Sequence, residues 1–290
     1  MHPAPSVILF TGLSGMGFGC LAFLGLGYPA PSGWTAFFHW GLGYGLAVGG
    51  LAASTFHLGN PQRFLRAFSQ WQTSWLSREA WTSVAALVAL SPVALSDWLG
   101  LGWTRVPGLI GAVLCVATVG TTSMIYGQLK TIPRWNHWTT PALFLAFMAT
   151  GGALLTGNLS ALLFCVVLAL TLIAAFRLGD GRFALAAETI GTATGLDRIG
   201  ETTVFELPHT GQNYLLREMI HVVARRHVPK LRVIAVVCAA ILPTMPVMLF
   251  PAHSMAYVVA ALIHLAGALA ARWLFFAEAE HVVGLYYGKR

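Results

Sequence analysis

Eight apolar runs of about membrane-spanning length constrain this chain more than any other feature. They fall near residues 6–27, 35–57, 80–99, 106–128, 141–156, 159–176, 231–250 and 254–276. A bilayer core of about 30 Å is crossed by about 20 helical residues. Composition agrees: 57% of the 290 residues are hydrophobic and only 9% are charged. A soluble surface needs far more charge than that. The expected fold is therefore all-α and integral to the membrane, an eight-helix bundle forming a single domain over residues 1–290. The fifth run is short and should form a hairpin with the sixth through Gly157-Asn158. Pro243 and Pro246 should kink the seventh. Glycines cluster within the runs, as at Gly12, Gly15, Gly17 and Gly19 and at Gly41, Gly43 and Gly45. No strand precedes them, so close helix packing is a better reading than a dinucleotide loop.

Charge orients the bundle. With eight spans, both termini and the even-numbered loops share one side. Of the 17 Lys and Arg residues, all but Arg105 fall on that side. The positive-inside rule then places both termini in the cytoplasm. The net charge of +7 does not indicate nucleic acid, because the basic residues sit in loops between apolar runs. The start, Met1-His2-Pro3-Ala4-Pro5, has no positive segment, so no cleavable signal is expected. Cys20, Cys115, Cys165 and Cys238 each stand alone in an apolar run, with no metal-binding spacing. They read as small buried side chains and no metal site is expected. The long polar loop, about 178–230, is expected on the cytoplasmic side. Within it, residues 212–227 alternate apolar and basic side chains like an amphipathic helix. That helix would suit anionic headgroups or a protein partner.

Ionisable groups near a membrane are costly, so the few present come first. His57 ends the second run and Glu79 begins the third, both on the basic side. Between and beside them lie Trp71, Trp75 and Ser77. An imidazole and a carboxylate among tryptophans suit a quinone head, whose oxygens exchange protons when electrons move. The plain alternative is an interfacial histidine beside an aromatic belt. A haem b cytochrome would need two facing histidines, and no run pairs them at helical spacing. A transporter would need charges deep in the membrane, which are nearly absent. Tyr126, near the end of the fourth run, could bond a ligand or simply pack. The stretch from Lys130 through Arg134 and Trp135 to His137 reads as interfacial anchoring. Arg272, Glu278, Glu280 and His281 close the last run and read as solvated.

Several segments resemble the dimethyl sulfoxide reductase-type membrane anchor subunit family. They are His2-Pro3-Ala4-Pro5-Ser6-Val7-Ile8, His57-Leu58-Gly59-Asn60-Pro61, Ser77-Arg78-Glu79, the run from Met124-Ile125-Tyr126 through Pro133-Arg134-Trp135-Asn136, and the run from His209 to Met219. The resemblance implies eight helices and no cofactor held by this chain. It implies two partners, an iron–sulfur subunit and a catalytic subunit carrying molybdopterin. It also implies a quinone site near the docked iron–sulfur subunit, with His57 and Glu79 matching residues tied to that site. Ser77, Tyr126, Trp71 and Trp75 are the expected lining, and Arg63, Arg66, Lys130 and Arg134 the expected partner contacts. The family includes reductases that oxidise quinol and sulfite dehydrogenases that reduce quinone. A cytoplasmic placement of the site at the inner membrane favours sulfite dehydrogenase.

Overall fold

A computed structural model describes the chain except residues 57–59, 207–208, 210, 212, 221–226 and 289–290. The described residues are helical or irregular, with no strand among them. The long helices are α1 (Pro5–Gly25), α2 (Gly33–Thr55), α3 (Trp75–Leu99), α4 (Val106–Gly127), α5 (Thr139–Leu155) and α6 (Ala161–Asp180). An interrupted α7 (Val228–Leu249) and α8 (Ser254–Ala277) complete the set. Six of these are long and apolar enough to cross a membrane: α1, α3, α4, α6, α7 and α8. The 17 residues of α5 fall short by length. The glycines, aromatic residues and His39 of α2 dilute its hydropathy. Outward faces are apolar: Leu163, Val166 and Leu170 of α6 are 56–63% exposed at helical spacing. Water would not tolerate such a face, and hydrocarbon does.

Helix α1 runs through the centre and packs on α2, α4 and α5. Its glycines permit this. A Cβ on Gly17 would collide with the Ala47 backbone of α2, and one on Gly19 would collide with the Met148 carbonyl of α5. With little hydrophobic drive between helices in lipid, backbone approach of this kind supplies the packing. Gly15, Gly41 and Gly45 have open space instead, so the packing role expected of them does not hold.

The hairpin between α5 and α6 turns at Gly157, whose φ is +66°, with the Asn158 amide donating to the Ala153 carbonyl at 2.9 Å. Helix α7 is broken as its prolines require. It is α-helical over Val228–Val236, widens to a π turn over Val237–Ile241, then resumes over Thr244–Leu249. Proline lacks an N–H and crowds the carbonyl four residues back, which for Pro243 is that of Ala239. The freed Ala239 carbonyl accepts from Nδ1 of His264 on α8 at 2.6 Å.

Two readings change. Helix α3 starts at Trp75, so Trp75 and Ser77 are helical rather than in the preceding loop. Arg232 lies in α7, within the run expected at 231–250. Arg272 lies inside α8 and is 2% exposed, so it is not solvated, and Glu278 is buried as well. Of the expected amphipathic helix, residues 212 and 221–226 lie outside the described residues, and Leu215–Met219 forms one π-helical turn.

Candidate functional site

Three buried polar groups, Glu79, Thr122 and Arg272, lie near the basic ends of their helices, and two of them touch. Glu79 lies four residues inside the start of α3, and Thr122 and Arg272 each lie five residues from the ends of α4 and α8. At 1.5 Å per residue, each sits about 6–8 Å below the helix ends. Glu79 is 3% exposed, and its carboxylate accepts from the Thr122 hydroxyl at 2.5 Å. One turn further along α4, Tyr126 is enclosed by Trp135, Phe144, Phe275 and Phe276, with ring centroids 5.3–5.8 Å away. The Arg272 guanidinium lies 3.6 Å over the Phe144 ring.

Above Glu79, the segment before α3 is pinned to the helix start. Residues Pro61–Phe68 form a 3-10 turn. Arg78 donates to the Trp71 and Gln72 carbonyls at 3.0 and 2.7 Å and covers the Trp75 ring at 4.3 Å. Ser77 is buried, and its hydroxyl accepts from the Gln70 amide at 3.3 Å. Trp81 donates to the Phe68 carbonyl at 3.0 Å. Trp71 is 58% exposed, an indole held at the surface beside this segment. His57 lies outside the described residues.

The loop after α4 is tied down by charge. Arg134 pairs with Asp180 at 3.0 Å and with Glu278, and Arg232 binds the same two carboxylates. This network joins the ends of α6, α7 and α8 to the loop. Arg63, Arg66 and Lys130 are exposed, whereas Arg134 is half-buried and fully engaged. Outside the membrane-spanning segments, burial and the nearby Arg182 lower the His137 pKa. Burial and the N-terminal ammonium lower that of His281.

The model of the DMSO reductase anchor subunit (DmsC) family matches residues 35–288. The chain belongs to this family. It is thus a multi-pass membrane anchor of a multisubunit oxidoreductase, with catalytic and electron-transfer partners implied. It is 29% identical to a sulfite dehydrogenase subunit of Allochromatium vinosum, over 323 aligned positions covering 99% of each chain. No solved structure matches it.

In this anchor subunit the structure joins Glu79 to Thr122, sets Tyr126 one turn from Thr122 along α4, and sets Ser77 and Trp75 about one turn or less from Glu79 along α3. Sequence reasoning missed Thr122 and Arg272. Arg272 carried a signal: Trp273-Leu274-Phe275-Phe276-Ala277 follow it, so an apolar run continues past the charge. Thr122 carried none, since a threonine in an apolar helix usually bonds its own backbone.

Proposed function

We propose that this chain is the quinone-reactive anchor of a molybdopterin oxidoreductase, crossing the inner membrane with eight helices and both termini in the cytoplasm. The site comprises His57 and Glu79, with Ser77, Tyr126, Trp71 and Trp75 around the quinone ring. The observation that carries the reading is the buried Glu79 carboxylate, held by Thr122 beneath an indole-rich surface segment. A carboxyl group in that position can exchange a proton with a quinone oxygen and with water at the basic face. His57 serves the other exchange. Two electrons pass between the quinone and the nearest cluster of an iron–sulfur partner, which in turn serves a molybdopterin catalytic subunit. Arg63, Arg66, Lys130 and Arg134 face these partners on the cytoplasmic side.

The reaction proposed for the complex is oxidation of sulfite to sulfate with reduction of quinone. Similarity over 99% of the A. vinosum sulfite dehydrogenase chain supports it. The match to the DMSO reductase anchor supports a second reading, quinol oxidation feeding a reductase.

Mild-detergent capture of the tagged chain from native membranes tests both. An iron–sulfur protein and a molybdopterin protein should co-purify, and the eluate should turn over quinone with sulfite. Turnover with dimethyl sulfoxide instead would select the second reading. In the captured complex, His57→Ala should abolish quinone turnover, and Glu79→Gln should lower it about 100-fold. Wild-type rates in both variants would end the site assignment.

A further inference from the structure

At the end away from the basic loops, α2 and α8 both pack on α1 and leave a groove between them. Its volume is about 420 Å³, and Met16 of α1 contributes to its floor. Phe38 and Leu42 of α2 and Val258 and Leu262 of α8 line it and are 45–68% exposed. The mouth therefore opens sideways, where a membrane bundle faces hydrocarbon.

The lining changes character with depth. Tyr257 and His39 lie about 5 and 9 Å from the starts of their helices, whereas Leu265 and Leu46 lie about 16 and 20 Å in. The groove thus runs inward for about 12 Å, polar at its outer end and apolar at its inner end. His264 adds nothing polar to the inner end. It is fully buried and does not line the groove, and its Nδ1 donates to the Ala239 carbonyl at 2.6 Å. At the outer end, the Tyr257 hydroxyl makes no hydrogen bond among the described residues, although the side chain is only 6% exposed. Nδ1 of His39 donates to the Thr35 carbonyl at 2.8 Å, which leaves Nε2 with its lone pair. The groove therefore offers one O–H donor and one nitrogen acceptor beside an apolar slot.

Three occupants can be compared with this shape. Water does not fill an apolar slot. A second helix, about 10 Å across, would need about twice the volume over the same length. A single flexible chain fits, because a bilayer core of about 30 Å is two lipid chains deep and each spans about 15 Å.

We propose that the groove holds one acyl chain of a phospholipid. An ester carbonyl accepts from the Tyr257 hydroxyl, and an N–H or O–H of the headgroup donates to Nε2 of His39. The chain bridges α2 and α8 across the gap that α1 leaves between them. An oxidised quinone has a long chain as well, but its ring oxygens only accept and give His39 no donor. The site is independent of the proton exchange placed at Glu79, so either can fail alone.

The test reconstitutes the assembled complex into phosphatidylcholine vesicles holding a trace of phosphatidylethanolamine with a diazirine midway along one acyl chain. After illumination, labelled residues are mapped by mass spectrometry. Leu46 and Leu265 should be labelled about tenfold more than Val113, a residue of α4 that is 68% exposed to lipid. Added unlabelled phosphatidylethanolamine should compete in the groove and not at Val113. Tyr257→Phe, which keeps the ring and loses the donor, should lower groove labelling about fivefold. Val258→Trp, at the mouth, should block it. Equal labelling at all three positions, or unchanged groove labelling in Tyr257→Phe, would overturn the proposal. So would displacement of the probe by decylubiquinone but not by phosphatidylethanolamine, which would assign the groove to a quinone.

Discussion

The two ends of the bundle hold their charges differently. At the end away from the basic loops, Asp97 pairs with Arg105 at 3.0 Å and accepts from the Trp40 indole at 3.1 Å. No other ion pair occurs there among the described residues. At the basic end, Arg134, Arg232, Asp180 and Glu278 interlock, Glu79 is buried against Thr122, and Arg272 is buried over aromatic rings. Between the ends, α1 holds α2 and α5 by backbone contact at Gly17 and Gly19. The far end and the middle therefore do what any bundle must. The basic end carries polar groups beyond what packing requires, and buried polar groups in a membrane protein mark function.

That contrast can be broken at several points. The largest effect is expected in the middle. Gly19→Leu forces a side chain against the Met148 carbonyl, and should cost about 3 kcal/mol or more and leave little folded protein. Membrane-fraction yield and gel filtration would show it, and a normal yield would refute the backbone contact. Next, Glu278→Ala leaves Arg134 and Arg232 short of a carboxylate. Their partial exposure holds the loss to about 2 kcal/mol, read as a lower thermal midpoint of the purified chain. Trp40→Phe removes one hydrogen bond at the far end while Arg105 still serves Asp97. It should cost about 1 kcal/mol and leave quinone turnover unchanged. A turnover defect in Trp40→Phe would blur the distinction between the ends.

The smallest effect concerns pH. His281 has a folded pKa below its ordinary value of 6.5, through burial and then the N-terminal ammonium. Its Nδ1 accepts from the Val283 amide at 3.0 Å, which needs the unprotonated nitrogen. The folded chain thus binds fewer protons than the unfolded chain just below pH 6.5. The associated stability is present above 6.5 and is lost as pH falls towards the folded value. Thermal midpoints at about pH 7.5 and about 5.5 should differ in that direction, and His281→Asn should narrow the gap. An unchanged gap would remove His281 from the account.

Much of this fold was legible because span length is a strong constraint. The Gly157 turn, the break at Pro243 and the packing at Gly17 and Gly19 follow from local chemistry readable in order along the chain. Facing is harder to read. In lipid both faces of a helix are apolar, so sequence alone could not tell that Gly17 meets a neighbour while Gly15 and Gly41 do not. The same ambiguity hid the candidate site. Glu79 was visible as a rare charge, but its partner Thr122 also lies 2.9 Å from the Thr118 carbonyl, the bond expected of any helical threonine. Arg272 reads as solvated because it closes the last run with other charges, although the apolar residues after it point inward.

The network around Asp180 has a consequence for the long excursion between α6 and α7. Asp180 ends α6 and Arg232 lies in the second turn of α7, so their ion pair ties the two ends of that excursion together at its base. A chain segment whose ends are already joined behaves as a closed loop. Its length then affects stability only logarithmically, about 0.6 kcal/mol for each doubling. The excursion can therefore lengthen, shorten or take on new sequence while the helices beneath it keep their places.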